Sequence, residues 1–168
     1  MTAALLALAA LLLLAAGCLA AVRRRLVITV EGVSMQPTLR AGDVLIGRRA
    51  GLRALQVGGL VILERPDPSG HWPPPGTGRP RRWMVKRVAA LPGDPMPAAL
   101  TDFAATPVVP PATVVVLGDN RSASIDSRTL GPVPAHRILG VALRRHRPGP
   151  GARPLTPPAG AARSSMRQ

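Results

Sequence analysis

The chain has 168 residues, with 22 Lys+Arg against 8 Asp+Glu and a formal net charge of +14. That length holds one ordinary domain rather than two. The single cysteine, Cys18, excludes an intrachain disulfide and a cysteine-based structural zinc site, and 2% aromatics leave no stacking platform for single-stranded nucleic acid.

Ala3 to Val22 is an uncharged run of Ala, Leu, Gly, Cys and Val, stopped by Arg23, Arg24 and Arg25. At about 1.5 Å per residue it spans roughly 30 Å as a helix, which matches a bilayer core. The reading is a membrane-spanning helix. A cleaved secretory signal is the alternative, but the basic start of such signals is missing. A buried core helix is the other, but it needs a larger protein around it. Leu14 to Cys18 resembles a lipoprotein cleavage box only faintly, because alanine stands three places before the cysteine. Taken literally, the positive-inside rule places Arg23–Arg25 in the cytoplasm. With only Met1 and Thr2 on the other flank, the rule has little to compare.

Beyond residue 25 the pattern turns to strands. Leu26–Val33, Asp43–Ile46, Leu60–Leu63, Trp83–Val88, Thr113–Leu117 and Ile138–Leu143 are short Val-, Ile- and Leu-rich runs separated by Gly, Pro and Arg. Pro66–Arg82 and Pro92–Pro111 read as Pro-rich connections. From Pro148 onward Pro, Gly, Arg and Ser dominate, and that composition predicts a disordered tail. The domains expected are therefore an anchor over 1–25, a mainly β domain over 26–147 and a tail over 148–168.

Four segments carry candidate chemistry. In Val30–Leu39 a predicted strand runs into Ser34, with Ile28, Val30, Gly32 and Ser34 on one face. Gly32 leaves room for a substrate backbone beside a nucleophile. A serine that merely caps a turn is the plain alternative. In Trp83–Asp94, Met84, Lys86 and Val88 share one face, so the chain's only lysine stands among apolar neighbours. Burial there would lower its pKa from about 10.4 and free an amine to act as a base, which arginine cannot do. A surface lysine lying along the sheet is the alternative. Leu117–Arg128 is a polar loop in which Asp126 and Arg128 can pair. Gly42–Ile46 reads as a structural turn into a strand. His71, His136 and His146 lie outside these segments and lack an orienting carboxylate, which argues against a Ser/His/Asp triad.

Together the four segments resemble the ordered motifs of the type I signal peptidases. They are Gly32-x-Ser34-Met35-x-Pro37-Thr38-Leu39, then Gly42-Asp43-Val44, then Lys86-Arg87-Val88 with Leu91-Pro92-Gly93-Asp94. Gly118-Asp119-Asn120-Arg121 follows, with Ser124 and Asp126-Ser127-Arg128. The resemblance covers about residues 30 to 143. It implies a coiled antiparallel β-sheet domain on one N-terminal transmembrane helix, with Ser34 as nucleophile and Lys86 as general base. It also implies that Ser124 orients the lysine and that an Asp126–Arg128 salt bridge supports the site. Gly32 resembles the branch that lacks a serine at this position and relies on the Ser34 amide for the oxyanion. Ala90 departs from the usual glycine, and the short stretch after Asp94 marks a compact member.

The function implied is removal of N-terminal signal peptides from precursor proteins, without metal or cofactor. The site would face the extracytoplasmic side of a single-pass cell-membrane protein, against the literal charge rule. A dedicated maturation peptidase of the same family, such as the one that processes nickel-type superoxide dismutase, fits the same motifs. A non-catalytic basic protein on the membrane surface is the remaining reading. The partners expected are signal-bearing precursors and anionic lipid, not nucleic acid, and the sequence leaves the oligomeric state open.

Overall fold

Short apolar runs broken by Gly, Pro and Asp cannot continue as helices, and here they become strands. A computed structural model describes residues 10–17, 22, 24–67, 69–74, 82–100 and 106–146. The strands are β1 (Arg25–Thr29), β2 (Val44–Arg49), β3 (Leu60–Glu64), β4 (Trp83–Ala90), β5 (Thr113–Leu117), β6 (Val133–Pro134) and β7 (Ile138–His146). All pair antiparallel in the order β1-β2-β7-β3-β4-β5-β6. The expected mainly β class is thus observed.

Central strands are covered on both faces, which is why β3 reads Leu-Val-Ile-Leu without polar alternation. Ile62 packs with Leu26, Leu45, Val85, Met35 and Leu39 on one face. Val61 and Leu63 pack with Val88, Val114 and Val116 on the other. A third cluster, Ala90, Met96, Leu100, Val109 and Val115, fills the β5 end, where Pro95 bridges to Val108. Register shifts at Ile46/Gly47, Ile62/Leu63 and Val88/Ala90 add twist and curl the sheet. Below the β3–β4 connection, Arg137 donates to Glu64 at 2.8 Å and to the Pro73 carbonyl at 2.9 Å, with its guanidinium 5.5 Å from the Trp72 ring.

Several expectations need correction. The first strand stops at Thr29 rather than Val33, so Ser34 is not on a strand. At Gly32 the backbone has φ of +86°, which breaks the period-two alternation on which the shared face of Ile28, Val30, Gly32 and Ser34 depended. Strands β2 and β7 run past their expected ends to Arg49 and His146, because backbone pairing continues where side chains turn polar, and β4 runs on to buried Ala90, which pairs with Val115. The two-residue β6 and the helix Ser127–Leu130 were not foreseen. Of the expected membrane span, residues 10–17 are helical and exposed, and the other residues except 22 lie outside the described residues. Among the described residues no helix is long and apolar enough to cross a membrane. The expected tail, 148–168, lies entirely outside them.

At Gly47 and Gly140 strands β2 and β7 approach so closely that a side chain is excluded. A Cβ on Gly140 would stand 2.1 Å from the Arg48 carbonyl oxygen and 2.8 Å from Leu26 Cδ1. Gly140→Ala should therefore destabilise the domain by about 1–3 kcal/mol in urea unfolding. Gly51→Ala, where nothing lies within 4 Å, should leave the midpoint nearly unchanged.

Candidate active site

Between β1 and β2 the chain makes a closed excursion. The Val30 amide donates to Asp43 O at 2.8 Å, and the Gly42 amide returns to Val30 O at 3.0 Å. Inside it, Gln36 N bonds Val33 O and Leu39 N bonds Met35 O. Met35 and Leu39 are buried pegs in the core under this loop. Ser34 sits between exposed Val33 and buried Met35, half-buried. Its carbonyl is held by the Asn120 amide at 3.0 Å, and Asn120 Nδ2 holds Val33 O at 3.3 Å. The Ser34 amide donates to no acceptor among the described residues. At Gly32 a Cβ would meet nothing within 4 Å, so the turn conformation rather than crowding calls for glycine.

Lys86 stands in β4 opposite Val61, with Met84 and Val88 on the same face, as the alternation predicted. It is 3% exposed. Its Nζ donates to Ser34 Oγ at 2.9 Å and to Ser124 Oγ at 3.0 Å. Burial is the largest influence on this amine and lowers its pKa from 10.5 to about 8. The Asp126 carboxylate opposes the shift, and the charges of Arg65 and Arg128 add to it.

Asp126 is fully buried and fixes the direction of the hydrogen bonds. Its Oδ2 accepts from Ser124 Oγ, the Gly118 amide and Arg128 Nη2, each at 2.7 Å. Oδ1 accepts the Arg128 amide at 3.1 Å and so caps the helix Ser127–Leu130. The Ser124 proton is committed to Asp126, so Ser124 can only accept from the lysine. A neutral Lys86 then gives one N–H to Ser124 and has its lone pair left for the Ser34 hydroxyl. Gly118 makes this packing feasible, because a Cβ there would fall 2.1 Å from Ser124 Oγ and 2.8 Å from Ser34 O.

All the expected site residues except Gly32 thus fall into one chain of contacts: Ser34, Lys86, Ser124, Asp126, Arg128. Gly32 stays outside it and shapes the turn. The sequence reading missed a second network. Arg87 grips Asp119 through two bonds, Nε to Oδ1 at 2.8 Å and Nη2 to Oδ2 at 2.7 Å. It also donates to Gly58 O at 2.7 Å and Thr38 Oγ1 at 3.3 Å. That contact holds the Asp119 carboxyl below its ordinary pKa and raises that of Arg87. The available signal was a forked donor next to Lys86 and a carboxylate in Gly118-Asp119-Asn120. An open cleft of about 800 Å³, lined by Gln36, Pro37, Asp119, Asn120, Arg121 and Ser122, lies beside this network.

A hydroxyl against a buried amine that sheds its proton near pH 8 has the parts of an acyl-transfer site. The profile described as Signal peptidase, peptidase S26 matches residues 1–99 and 95–146. The chain is 37% identical over 142 residues to the mitochondrial ATP-independent inner membrane protease subunit 1a of Arabidopsis thaliana, covering 76% of each. It is 33% identical over 126 residues to the mitochondrial inner membrane protease subunit 1 of Schizosaccharomyces pombe, covering 71% of this chain and 72% of that one. Signal peptidase I V of Bacillus subtilis is 26% identical over 147 residues, covering 67% of this chain and 80% of its own. The chain therefore belongs to the signal peptidase family, peptidase S26, and is a peptidase.

The single lysine makes its own titration measurable. Acetylation at the Lys86 peptide, followed by mass spectrometry across pH, should show a midpoint near 8 rather than 10.5. Asp126→Asn removes the charge that favours the ammonium, so the midpoint should move lower still. A midpoint near 10.5 would show that the amine is solvated.

Proposed function

We propose that this protein is a membrane-anchored serine endopeptidase that removes N-terminal signal peptides from precursor proteins, with Ser34 as nucleophile and Lys86 as general base. The observation that carries the reading is the 2.9 Å contact between Ser34 Oγ and the Nζ of a lysine that is 3% exposed. Membership of the signal peptidase family supports the substrate class. The names of relatives, inner membrane proteases in mitochondria, support a membrane location.

The neutral amine takes the Ser34 proton as Oγ attacks the scissile carbonyl. The new C–O bond forms as the carbonyl π bond opens to an oxyanion, which accepts from the Ser34 amide, a donor without an acceptor among the described residues. Collapse breaks the C–N bond, and the Lys86 ammonium gives its proton to the leaving amine. Water, deprotonated by the same amine, then releases the acyl group. Ser124 and Asp126 hold the lysine in register, and Arg128 holds the Asp126 side chain in place.

The bond to be cut has a natural approach. Residues Trp83–Lys86 pair with β3 on one edge, whereas β5 pairs only from Arg87 onward. Among the described residues the other edge of Trp83–Lys86 is therefore open next to the amine. An extended peptide adding there would bring its carbonyl to Ser34. The anchor is the apolar segment within residues 3–22, the catalytic domain faces the extracytoplasmic side of the cell membrane, and residues 148–168 are a dispensable tail. Anionic lipid is the surface the basic chain meets.

Ser34→Ala and Lys86→Ala should each abolish cleavage of a secretory precursor, with no further loss in the double variant. Lys86→Arg should be equally inactive, because arginine stays protonated. In the native protein kcat/KM should rise about tenfold per pH unit below pH 8 and level above it, since only the neutral amine is a base. Ser124→Ala should cost roughly 10- to 100-fold, more than Ser122→Ala or Ser127→Ala in kcat at equal folding. Substantial cleavage by Lys86→Arg would remove the dyad.

A further inference from the structure

Asn120 caps the N-terminus of the single-turn 3₁₀ helix Arg121–Ala123. An asparagine at such a position ordinarily turns its side chain onto the amides of its own helix. This one makes no such bond. Its Nδ2 reaches instead to the Val33 carbonyl, 87 residues back in the chain, while its backbone amide holds the Ser34 carbonyl. The orientation of the side-chain amide follows from chemistry. Val33 O only accepts, so the donor Nδ2 faces it, and Oδ1 takes the Ser122 hydroxyl at 3.1 Å.

One residue therefore grips the peptide units on both sides of the Ser34 α-carbon. The first unit joins the Val33 carbonyl to the Ser34 amide. In a planar trans peptide those two groups point in opposite directions. Holding the carbonyl against Asn120 thus aims the Ser34 N–H away from it. That N–H donates to no acceptor among the described residues. Val33 O has two lone pairs, and both are engaged, one by the Gln36 amide at 3.0 Å and one by Asn120 Nδ2 at 3.3 Å. A peptide unit whose carbonyl accepts hydrogen bonds is polarised, and its N–H is a stronger donor. The loop does not need the Asn120 side chain to stay folded, because buried Met35 and Leu39 anchor it, whereas Asn120 lines the open cleft.

We propose that the Asn120 side chain is a positioning residue for the oxyanion donor: it fixes and polarises the peptide unit whose Ser34 N–H meets the charge that develops on the substrate carbonyl. The proposal rests on Ser34 as nucleophile and deepens that reading. It divides the polar segment Leu117–Arg128 into two tasks. Ser124 and Asp126 act on Lys86, and so on where the proton goes. Asn120 acts on the Ser34 backbone, and so on where the negative charge goes. A donor already fixed in place needs no reorganisation as the oxyanion forms.

The test compares Asn120→Ala, Asn120→Asp and Ser122→Ala in the full chain in detergent. Turnover of a secretory precursor is read above the Lys86 midpoint of about 8, where the base is neutral. Asn120→Ala keeps the backbone bond to Ser34 O and the Ser34 amide itself. Its kcat should fall about tenfold, less than for loss of a donor outright, with KM within about twofold of native. A peptide boronic acid forms a tetrahedral anion on Ser34 Oγ, and its affinity should fall by the same factor as kcat. Asn120→Asp keeps the shape but sets a carboxylate oxygen against Val33 O, so it should cost more than alanine. Ser122→Ala frees only Oδ1 and should cost about twofold. In Asn120→Ala the acetylation midpoint of Lys86 should stay near 8, and the urea midpoint should stay near native. A kcat for Asn120→Ala within about twofold of native would overturn the proposal and leave the dyad intact. So would a kcat loss without a matching loss of boronate affinity, a loss confined to KM, or a lysine midpoint that moves. A loss that tracks a lower urea midpoint in both Asn120 variants would make the residue structural and overturn it as well. Cleavage by Ser34→Ala would remove the nucleophile, and this proposal with it.

Discussion

Burying the Lys86 amine costs the folded chain the hydration of an ammonium ion, and the surrounding structure is organised around that cost. The folded group titrates near 8, whereas in the unfolded chain it titrates near 10.5. Between those values the unfolded chain binds more protons than the folded one, so this group's contribution to stability rises with pH. Below about pH 8 its penalty is fully present. The penalty is tolerated because two hydroxyl oxygens accept from the amine and a carboxylate lies behind one of them. On the proposed mechanism the same penalty is the source of the base: about a tenth of the amine is neutral at pH 7, against less than one part in a thousand for an ordinary lysine.

The second organising element is Asp126. A buried carboxylate is stable only when its oxygens are satisfied, and here four donors reach it. The donors come from three residues and tie three pieces of backbone to the site. Gly118 follows β5, Ser124 follows a short turn, and Arg128 lies in the first turn of the helix that leads to β6. One side chain thereby sets both the polarity of the Ser124 hydroxyl and the path of the chain around it. Next to it, the Ser127 hydroxyl accepts the Val116 amide at 2.9 Å and closes the remaining edge of β5.

The loop that carries Ser34 has little regular structure and is held from outside. Met35 and Leu39 anchor it in the core. Asn120 holds two of its carbonyls, Arg87 reaches Thr38 from β4, and Arg145 of β7 donates to the Thr38 carbonyl. Strands β4 and β7 and the turn after β5 thus converge on the loop of residues 30–43. The Arg87–Asp119 pair serves this convergence, since both of its members touch the loop or its neighbours while pairing with each other.

The sequence by itself determined the class of fold, because short Val- and Leu-rich runs between Gly and Pro have few stable outcomes other than a sheet. It also determined the face of Lys86, since a period of two around Met84 and Val88 leaves no other choice. The motifs determined which residues to bring together, and Asp126 with Arg128 pairs locally, two residues apart. The setting of Ser34 was decided only in three dimensions. Its segment alternates like a strand, yet Gly32 turns to positive φ and the chain closes on itself through Val30 and Asp43. The role of Arg87 was equally hidden, because its partner Asp119 lies 32 residues away and a forked pair is a property of distance in space. Alternation and composition report local preference. The contact of an amine with a hydroxyl 52 residues away depends on how strands order and curl, and only the folded sheet fixes that.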